Sequence, residues 1–384
     1  MEKKNKICFV SLYAYHFFNP ENQSIFGGSE YQMFLMAKEI AKDPLFNVSF
    51  VVADFGQKAV EVYEQIRLYK SINPKNLFTK IFGILFVLPR TLQRINADIY
   101  LQKAAGLEVG ITALFCKLRR KKFIYLTAND EDVRNRKPSW MSGGILGTIR
   151  WQLFRWGVKN ANLIIVQHEK QREDLKKYYG KDSTVRFSAQ YIPEERVIDL
   201  NKKKIILWVG KANKKTKQPE VFIELARQFP AERFVMICPF SGNRVYFEEI
   251  KKIAGAVKNL KFIEGVFFNQ IEDYFLKAKI FVNTSVTEGF PNTFIQAVKY
   301  KTPIISLIVS PDMVLEKYKI GLCAQGLVKN LSKSLAMLLM NKEVWLKLGE
   351  NGYKYAKEYH DIKKIIKEDR KVILESSNIN SKMY

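Results

Sequence analysis

Short apolar runs rich in β-branched and aromatic residues alternate along this chain with longer stretches in which apolar residues recur every three or four positions. The first pattern predicts β-strands, and the second predicts amphipathic helices such as 31–42 and 107–119. Regular alternation of the two is typical of parallel sheets whose strands are joined by helices. The predicted strands are 7–12, 48–52, 98–101, 123–126 and 163–166 in the first half, and 205–209, 234–237, 261–263, 280–282 and 304–306 in the second.

A polar, lysine-rich stretch at 199–204 interrupts this alternation before it starts again. The chain has 384 residues, which is enough for two domains, and we place the boundary at this stretch. The sequence therefore predicts an N-terminal Rossmann-like domain over residues 1–198 and a second Rossmann-like domain over 199–362. Residues 363–384 are predicted to form a helix and a tail that pack back on the N-terminal domain.

Basic residues outnumber acidic ones, with 63 Lys and Arg against 38 Asp and Glu and a formal net charge of +25. A field of this sign attracts phosphate groups, nucleic acid or an anionic membrane surface. A solvated basic surface without a partner is the alternative, and the charge alone does not decide between them. Because no nucleic-acid-binding motif accompanies the charge, we do not expect nucleic acid to be the partner.

The four cysteines lie singly among apolar residues, which indicates neither a disulfide framework nor a metal-ligand spacing. The N-terminus passes from charged residues directly into the first predicted strand, without the apolar core of a signal peptide. The longest apolar stretch, 81–88, is far shorter than the roughly 20 residues that a membrane-spanning helix needs. We therefore expect a cytoplasmic protein without a membrane span.

Loops that follow predicted strands carry the candidate chemistry, because open α/β sheets bind ligands at the carboxyl ends of their strands. One such loop has the paired glycines Gly27 and Gly28 before a helix, where backbone N–H groups can approach an anion. An ordinary loop capped by Ser29 is an equally good interpretation. A second loop, 210–217, combines a glycine with several lysines and suits a diphosphate, although taken alone it is more simply a solvated basic loop.

The third loop, 283–294, is the most informative. It places Glu288 beside Gly289 and a helix start, so the carboxylate can accept hydrogen bonds from sugar hydroxyls while nearby N–H groups hold a phosphate. Read from Phe262 through Glu288-Gly289-Phe290-Pro291-Asn292 to Ile305, this part of the chain resembles the donor-binding core of the family 4 retaining glycosyltransferases. That family has the GT-B fold, in which two Rossmann-like domains face a central cleft.

The resemblance extends over most of the chain. Gly210, Lys211 and Lys217 are similar to the family's Gly-Arg and Lys positions, which clamp the donor diphosphate. It implies an enzyme of the hexosyltransferase type that takes a sugar from a nucleotide-diphosphate sugar with retention of configuration and needs neither a cofactor nor a metal. The implied catalytic residues are Glu288, Lys211 and Lys217. The implied donor-binding residues are Gly210, Gly289, Phe290, Pro291, Asn292, Thr293 and Gln296, and the residues implied on the acceptor side are Gly27, Gly28, His16 and Asn129.

Three positions depart from the family pattern. Gln296 stands where the family has a second Glu that binds the donor ribose, and an amide lacks the charge-assisted strength of a carboxylate. Lys211 stands where the family has an Arg, so a point charge takes the place of a bidentate guanidinium. Asn129 lies where the family often has a His. Three interpretations of function remain open. They are an active enzyme, a non-catalytic GT-B partner subunit and, third in order, a basic nucleic-acid-binding protein.

Two segments of the N-terminal half, 75–94 and 140–156, mix aromatic and aliphatic residues with Lys and Arg. Such mixtures occur at membrane interfaces, and a pair of packing helices is the alternative. The membrane interpretation predicts a peripheral protein on the inner face of the cell membrane. Its acceptor would be a saccharide or a lipid-linked saccharide, in bacterial surface polysaccharide biosynthesis. The three histidines, His16, His168 and His360, lack metal-ligand spacing, and a structural or surface role is the better interpretation for each.

Overall fold

The computed structural model describes residues 4–19, 27–134 and 144–378. The chain divides into two compact units, one made of Met1–Ala189 with Ile362–Tyr384 and the other of Gln190–Asp361. The structural boundary follows Ala189 and so lies before the predicted boundary between residues 198 and 199. Gln190 already belongs to the second unit because its backbone N–H donates to the carbonyl of His360, at 2.8 Å.

Eight strands form the sheet of the first unit. They are β1 (Asn5–Val10), β2 (Phe46–Val52), β3 (Val60–Tyr63), β4 (Ile66–Lys70), β5 (Ile99–Lys103), β6 (Lys122–Leu126), β7 (Leu163–Val166) and β8 (Thr184–Val185). Their order across the sheet is β3-β4-β2-β1-β5-β6-β7-β8. The β3–β4 hairpin is antiparallel, and the other neighbouring pairs are parallel. The inner strands are almost wholly buried, as expected for apolar runs covered on both faces.

Helices connect these strands. They are α1 (Tyr15–Phe18), α2 (Gly28–Ala41), α3 (Leu77–Phe82), a π-helical turn (Gly83–Val87), α4 (Leu88–Ile95), α5 (Leu107–Leu118), α6 (Gly144–Lys159) and α7 (Glu169–Tyr179). A capping box starts α3, with Asn76 accepting from the backbone N–H of Thr79. Trp140, part of the second membrane-like segment, and residues 379–384 of the expected tail lie outside the described residues.

The second unit contains a six-stranded parallel sheet. Its strands are β9 (Ile205–Val209), β10 (Phe234–Ile237), β11 (Leu260–Ile263), β12 (Ala278–Asn283), β13 (Ile304–Ser306) and β14 (Gly321–Cys323), in the order β11-β10-β9-β12-β13-β14. Its helices are α8 (Pro219–Gln228), α9 (Arg244–Gly255), α10 (Phe268–Lys277), α11 (Asn292–Val298), α12 (Val314–Lys317), α13 (Val328–Met340) and α14 (Lys342–Tyr359). Alternate residues of β9 enter different apolar clusters, Ile206 one and Leu207 the other, so both faces of the sheet are packed.

The last helix, α15 (Ile362–Asn378), belongs to the first unit, where it contacts α2. It runs beyond Glu375, where the sequence predicted the helical part to end. Among the described helices, none combines the length and the apolar character needed to cross a bilayer.

Candidate functional site

Two loops meet at the carboxyl edge of the second sheet, between β9 and β12. The chain leaves β9 towards β10 and β11 and returns to β12 on the other side of β9, so the sheet has a topological switch point here. Crevices at such points are where open α/β sheets bind ligands. Loop 210–217 follows β9 and loop 284–291 follows β12. A backbone hydrogen bond of 2.9 Å from Val286 N–H to the Thr216 carbonyl joins the two loops directly.

The lysine-rich loop is shaped by one asparagine. The side-chain oxygen of Asn213 accepts from the backbone N–H groups of Lys215 and Thr216, each at 3.1 Å. Its backbone carbonyl accepts from Lys217 N–H at 2.8 Å. Since these bonds fix the backbone of the turn, Lys217 leaves it in one defined direction.

A second set of contacts clamps the loop after β12 onto the first loop. The hydroxyl of the fully buried Thr284 accepts from Trp208 Nε1 at 2.8 Å and donates to the carbonyl of Lys217 at 2.6 Å. The Trp208 ring also explains why residue 210 is a glycine, because a Cβ at that position would come within 2.9 Å of the ring. The two loops of the switch point are therefore held together by hydrogen bonds of their own.

The two loops bring together a cation and a carboxylate. Lys217 Nζ forms an ion pair with Glu288 Oε1, and both side chains are partly buried. The hydroxyl of Ser285 donates to the same carboxylate oxygen at 2.8 Å. In chemical terms the site offers an ammonium that can neutralise phosphate oxygens beside a carboxylate that can accept hydrogen bonds from hydroxyls.

The other residues predicted to bind the donor lie around this pair. Gly289, Phe290 and Pro291 are buried, and Pro291 precedes α11, whose first residues Asn292 and Thr293 are half-buried. Lys211 is also half-buried and directly follows Gly210 at the end of β9. The geometry therefore places these predicted residues at one edge of one sheet, with direct contact between Lys217 and Glu288.

Gln296 is held by a residue that the sequence reasoning missed. The side chain of Gln296, 7% exposed, donates through Nε2 to Glu272 Oε1 of α10 at 3.3 Å. The other carboxylate oxygen of Glu272 lies 2.8 Å from Lys299 Nζ, whose pKa burial lowers while Glu272 opposes the shift. A carboxylate is thus present beside position 296, although α10 supplies it. Nothing in the spacing of Glu272 marked it in advance.

The residues predicted on the acceptor side all lie in the first unit. Gly27 precedes α2 and Gly28 begins it, and a Cβ at Gly27 would collide with the Glu30 carboxylate. His16 is buried in α1 with its ring edge-on to Phe55, at 4.9 Å between centroids. Asn129 caps the short turn that follows β6 by accepting from Glu131 N–H at 3.1 Å. These contacts give His16 a packing role and Asn129 a capping role.

Comparison with known proteins connects this site to sugar transfer. Residues 190–355, which include both loops, match the family described as "Glycosyl transferases group 1". An uncharacterized glycosyltransferase of Haemophilus influenzae is 28% identical to this chain over 155 residues. That alignment covers 39% of the chain and 42% of the relative, so the chain matches under half of the relative's length.

Solved structures match nearly the whole chain. Sucrose-phosphate synthase from Thermosynechococcus elongatus has a TM-score of 0.74 at 15% identity and covers 97% of this chain and 99% of its own. HepE from Anabaena, solved with UDP and glucose, has a TM-score of 0.71 at 13% identity and covers 96% and 99%. The likeness shows that the chain has the GT-B fold, which confirms the predicted fold class.

Proposed function

We propose that the protein is a retaining glycosyltransferase of family 4 that moves a sugar, of the hexosyl type, from a nucleotide-diphosphate sugar to a saccharide or lipid-linked saccharide. The observation that carries the proposal is the joining of loops 210–217 and 284–291 through Lys217 and Glu288 at the switch point of the second sheet. This junction lies inside the matched span 190–355. The UDP and glucose bound to HepE support a nucleotide sugar as the ligand class.

The proposed chemistry needs positioning and charge stabilisation by residues already in place. When the bond between sugar and diphosphate breaks, negative charge grows on the departing diphosphate, and Lys217 with Lys211 would neutralise it. Glu288 would accept hydrogen bonds from the sugar hydroxyls, and Gln296 would face the ribose. The backbone of residues 289–293 would hold the sugar and phosphate. In this scheme no cofactor and no metal ion takes part.

A donor that binds at this site must separate Lys217 from Glu288 and give each of the two side chains a new partner. The donor diphosphate competes with Glu288 for Lys217, while the sugar hydroxyls compete with Lys217 for Glu288. Since Ser285 keeps its hydrogen bond to Glu288 Oε1, the carboxylate can stay oriented while its partner changes. The pair therefore holds both side chains in a position close to the one that a donor requires.

The place of action is part of the same proposal. We place the protein in the cytoplasm, peripheral on the inner face of the cell membrane, in bacterial surface polysaccharide biosynthesis. The mixture of exposed aromatic and basic side chains along 75–94 supports an anionic membrane surface as a partner. Nucleic acid has no part in the proposal, because the lysines singled out in 210–217 lie at a switch point suited to a diphosphate.

A thermal-shift screen of the purified chain against nucleotide sugars tests the donor site. The panel holds UDP-, GDP-, ADP- and dTDP-linked hexoses, with the free nucleotides and free sugars as controls. A specific donor raises the Tm, and at a fixed ligand concentration the gain grows with the logarithm of its affinity, so one nucleotide series is expected to stand out. If no nucleotide sugar stabilises the chain more than sodium phosphate does, the proposal is wrong.

A non-catalytic GT-B subunit is the second candidate, and it is favoured by the amide at position 296 and its engagement with Glu272. Such a subunit would bind a nucleotide sugar without consuming it. Release of nucleotide diphosphate from the stabilising donor, with and without saccharide acceptors, separates the two candidates. Turnover establishes the enzyme, whereas binding without turnover would establish the subunit.

A further inference from the structure

One carboxylate of the second unit, that of Glu272 on α10, meets two donors from α11 and its C-terminal end. Gln296 Nε2 donates to Oε1 of this carboxylate at 3.3 Å, and Lys299 Nζ lies 2.8 Å from Oε2. Positions 296 and 299 have the i, i+3 spacing that places side chains on one side of a helix. Each oxygen of Glu272 thus has its own donor, and both donors come from one short segment of the chain.

Lys299 is held from two directions. Its side chain is 4% exposed, and besides the ion pair with Glu272 it donates from Nζ to Gln190 Oε1 at 3.3 Å. Moving either partner of a buried ion pair leaves the other charge uncompensated, which costs several kcal/mol on the order of magnitude seen in other proteins. The position of the Glu272 carboxylate is therefore set by contacts inside the protein.

This carboxylate determines which way round the amide of Gln296 lies. An amide has a donor end, Nε2, and an acceptor end, Oε1, whereas an ionised carboxylate only accepts hydrogen bonds. With Nε2 towards Glu272 the contact is a charge-assisted hydrogen bond. The reverse orientation would place two acceptor oxygens against each other, so Glu272 selects one of the two orientations of the amide.

The selected orientation leaves the acceptor end of the amide available. Gln296 is 7% exposed, and its Oε1 accepts no hydrogen bond from residues 4–19, 27–134 or 144–378. Polar atoms in protein interiors nearly always have a partner, so an acceptor without one indicates water or a ligand that donates. A carbonyl oxygen has two lone pairs and can accept from two hydroxyls at once.

The amide lies close to the donor loop along the chain. α11 begins at Asn292, directly after the loop 284–291 that carries Glu288, and Gln296 follows about one helical turn later, roughly 6 Å along the axis. α10 follows β11 and so also starts at the carboxyl edge of this sheet. A ligand that extends from Glu288 along α11 therefore meets the amide oxygen.

The ribose is the part of the proposed donor that suits this oxygen. Phosphate oxygens only accept hydrogen bonds, so they gain nothing from an acceptor that stands beside a carboxylate. The transferred sugar already has Glu288 as its proposed partner. The two hydroxyls of a ribose lie on adjacent carbons, and both can donate to a single carbonyl oxygen.

We propose that Glu272 is a positioning residue of the donor site, which together with Lys299 holds the Gln296 amide with its oxygen towards the ribose and so makes the site prefer ribonucleotides to deoxyribonucleotides. The inference rests on the proposed sugar transfer and assigns the nucleotide class of its donor. Glu272 does not touch the ribose and acts through Gln296 alone.

Matched ribonucleotides and deoxyribonucleotides test this preference. The probes are UDP, GDP and ADP, each with its 2′-deoxy and 3′-deoxy form, and isothermal titration calorimetry measures the Kd of each. For the nucleotide that binds best, the ribo form should bind about ten-fold more tightly than at least one deoxy form, since a site built around a hydroxyl rejects an analogue that lacks it. Gln296→Met keeps the length of the side chain but removes the amide, so this ratio should fall to about one.

Glu272→Gln separates a positioning role from a role in folding alone. An amide at position 272 both donates and accepts, so it no longer favours one orientation of the Gln296 amide, and the ratio should fall to about three-fold or less. Binding of the deoxy form should not change, which also shows that the variant is folded. The matched control is Asp273→Asn, which removes the exposed carboxylate of the next residue of α10 and should keep the full ratio.

Exchange of the two residue types provides a rescue. Glu272→Gln combined with Gln296→Glu puts the carboxylate at position 296, where either oxygen can accept from a ribose hydroxyl while the amide at position 272 donates to it. The ratio should return to about ten-fold or more, because the hydrogen bond to the hydroxyl is now charge-assisted.

The outcomes keep this inference apart from the proposed function. A ratio near one in the unchanged chain, a ratio that survives Glu272→Gln, or one that the exchange does not restore would each show that Glu272 has no positioning role. Equal loss of ribo and deoxy forms in Glu272→Gln would show the same. Binding of dTDP in place of the three ribonucleotides overturns the inference alone, whereas a chain that binds no nucleoside diphosphate, dTDP included, overturns the proposed function as well.

Discussion

The two units differ in how the loops at their topological switch points are arranged. In the second unit the loops after β9 and β12 are tied to each other by backbone and side-chain hydrogen bonds, and the cation and carboxylate between them are partners. In the first unit the loops after β1 and β5 border a cavity of about 220 Å³, whose walls include two buried polar atoms without a hydrogen-bond partner among residues 4–19, 27–134 and 144–378. The same topology thus gives one site whose loops contact each other directly and one whose loops border a cavity.

This difference fits two kinds of ligand. A diphosphate has a fixed charge and shape, so charges held in advance by Asn213, Thr284 and Ser285 lower the reorganisation needed when it binds. The cavity of the first unit is bordered by the carboxylates of Glu30 and Glu108 and by the cations of Lys80 and Arg150, so a ligand there would meet hydrogen-bond acceptors as well as donors. The comparison predicts that breaking the tied site harms chemistry most.

The largest expected effect is that of Lys217→Met. The substitution keeps the aliphatic stem but removes the cation that meets charge on the leaving diphosphate, so kcat/KM for donor turnover should fall on the order of a hundred-fold or more. Steady-state release of nucleotide diphosphate measures it. Lys215→Met is the matched control, because Lys215 is an exposed lysine of the same loop and should keep near-full activity. Equal losses in the two variants would mean that only the overall charge of the loop matters.

A smaller effect is expected from Gln296→Glu, which restores the residue type of the resembled family. It would place a second carboxylate about 3.3 Å from that of Glu272, which already forms an ion pair with Lys299. Because the two carboxylates repel each other, the free energy of unfolding should fall by about 3 kcal/mol. Urea unfolding measures the change. Adding Glu272→Gln leaves one carboxylate beside Lys299 and should recover most of the loss. A stable single variant would show that this pocket is more hydrated than its burial indicates.

The sequence predicted the strands whose runs are apolar and rich in β-branched or aromatic residues, and it missed those without such a signal. The bounds of β7, β9, β10 and β13 agree with the predicted runs. The β3–β4 hairpin turns at Glu64, whose φ of 51° is unusual for a glutamate. Because the turn lacks an Asn-Gly pair, the sequence did not predict a hairpin there. β14 (Gly321–Cys323) has three residues, as β13 does, but it starts with a glycine and lacks the β-branched residues that predicted β13 from Ile304 and Ile305.

The candidate site shows a similar limit. The order of glycines, lysines and Glu288 along the chain was enough to predict which loops carry the site, because parallel topology brings strand ends to one edge. Which side chains would touch was not predictable. Lys217 and Glu288 belong to different loops, and the Glu272 that contacts Gln296 comes from a helix that carries no motif. Such contacts depend on packing between elements, which the spacing of residues does not encode.

The smallest effect concerns buried charge near the first sheet. Burial raises the pKa of Asp369 on α15 from its ordinary value to about 7, although Arg186 lowers it. Because the folded chain retains this proton when the unfolded chain has lost it, the contribution to stability is complete at low pH and is lost as pH rises through 7. Asp369→Asn has no proton to lose. The unfolding free energy of this variant minus that of the unchanged chain should therefore increase by on the order of 2 kcal/mol from pH 5 to pH 8.

The exposed neighbour provides the control, since Glu368→Gln should show no such trend in thermal unfolding across this pH range. A constant difference between the Asp369→Asn variant and the unchanged chain would mean that Arg186 keeps the carboxylate charged, and that this part of the first unit is as well paired as the tied loops of the second.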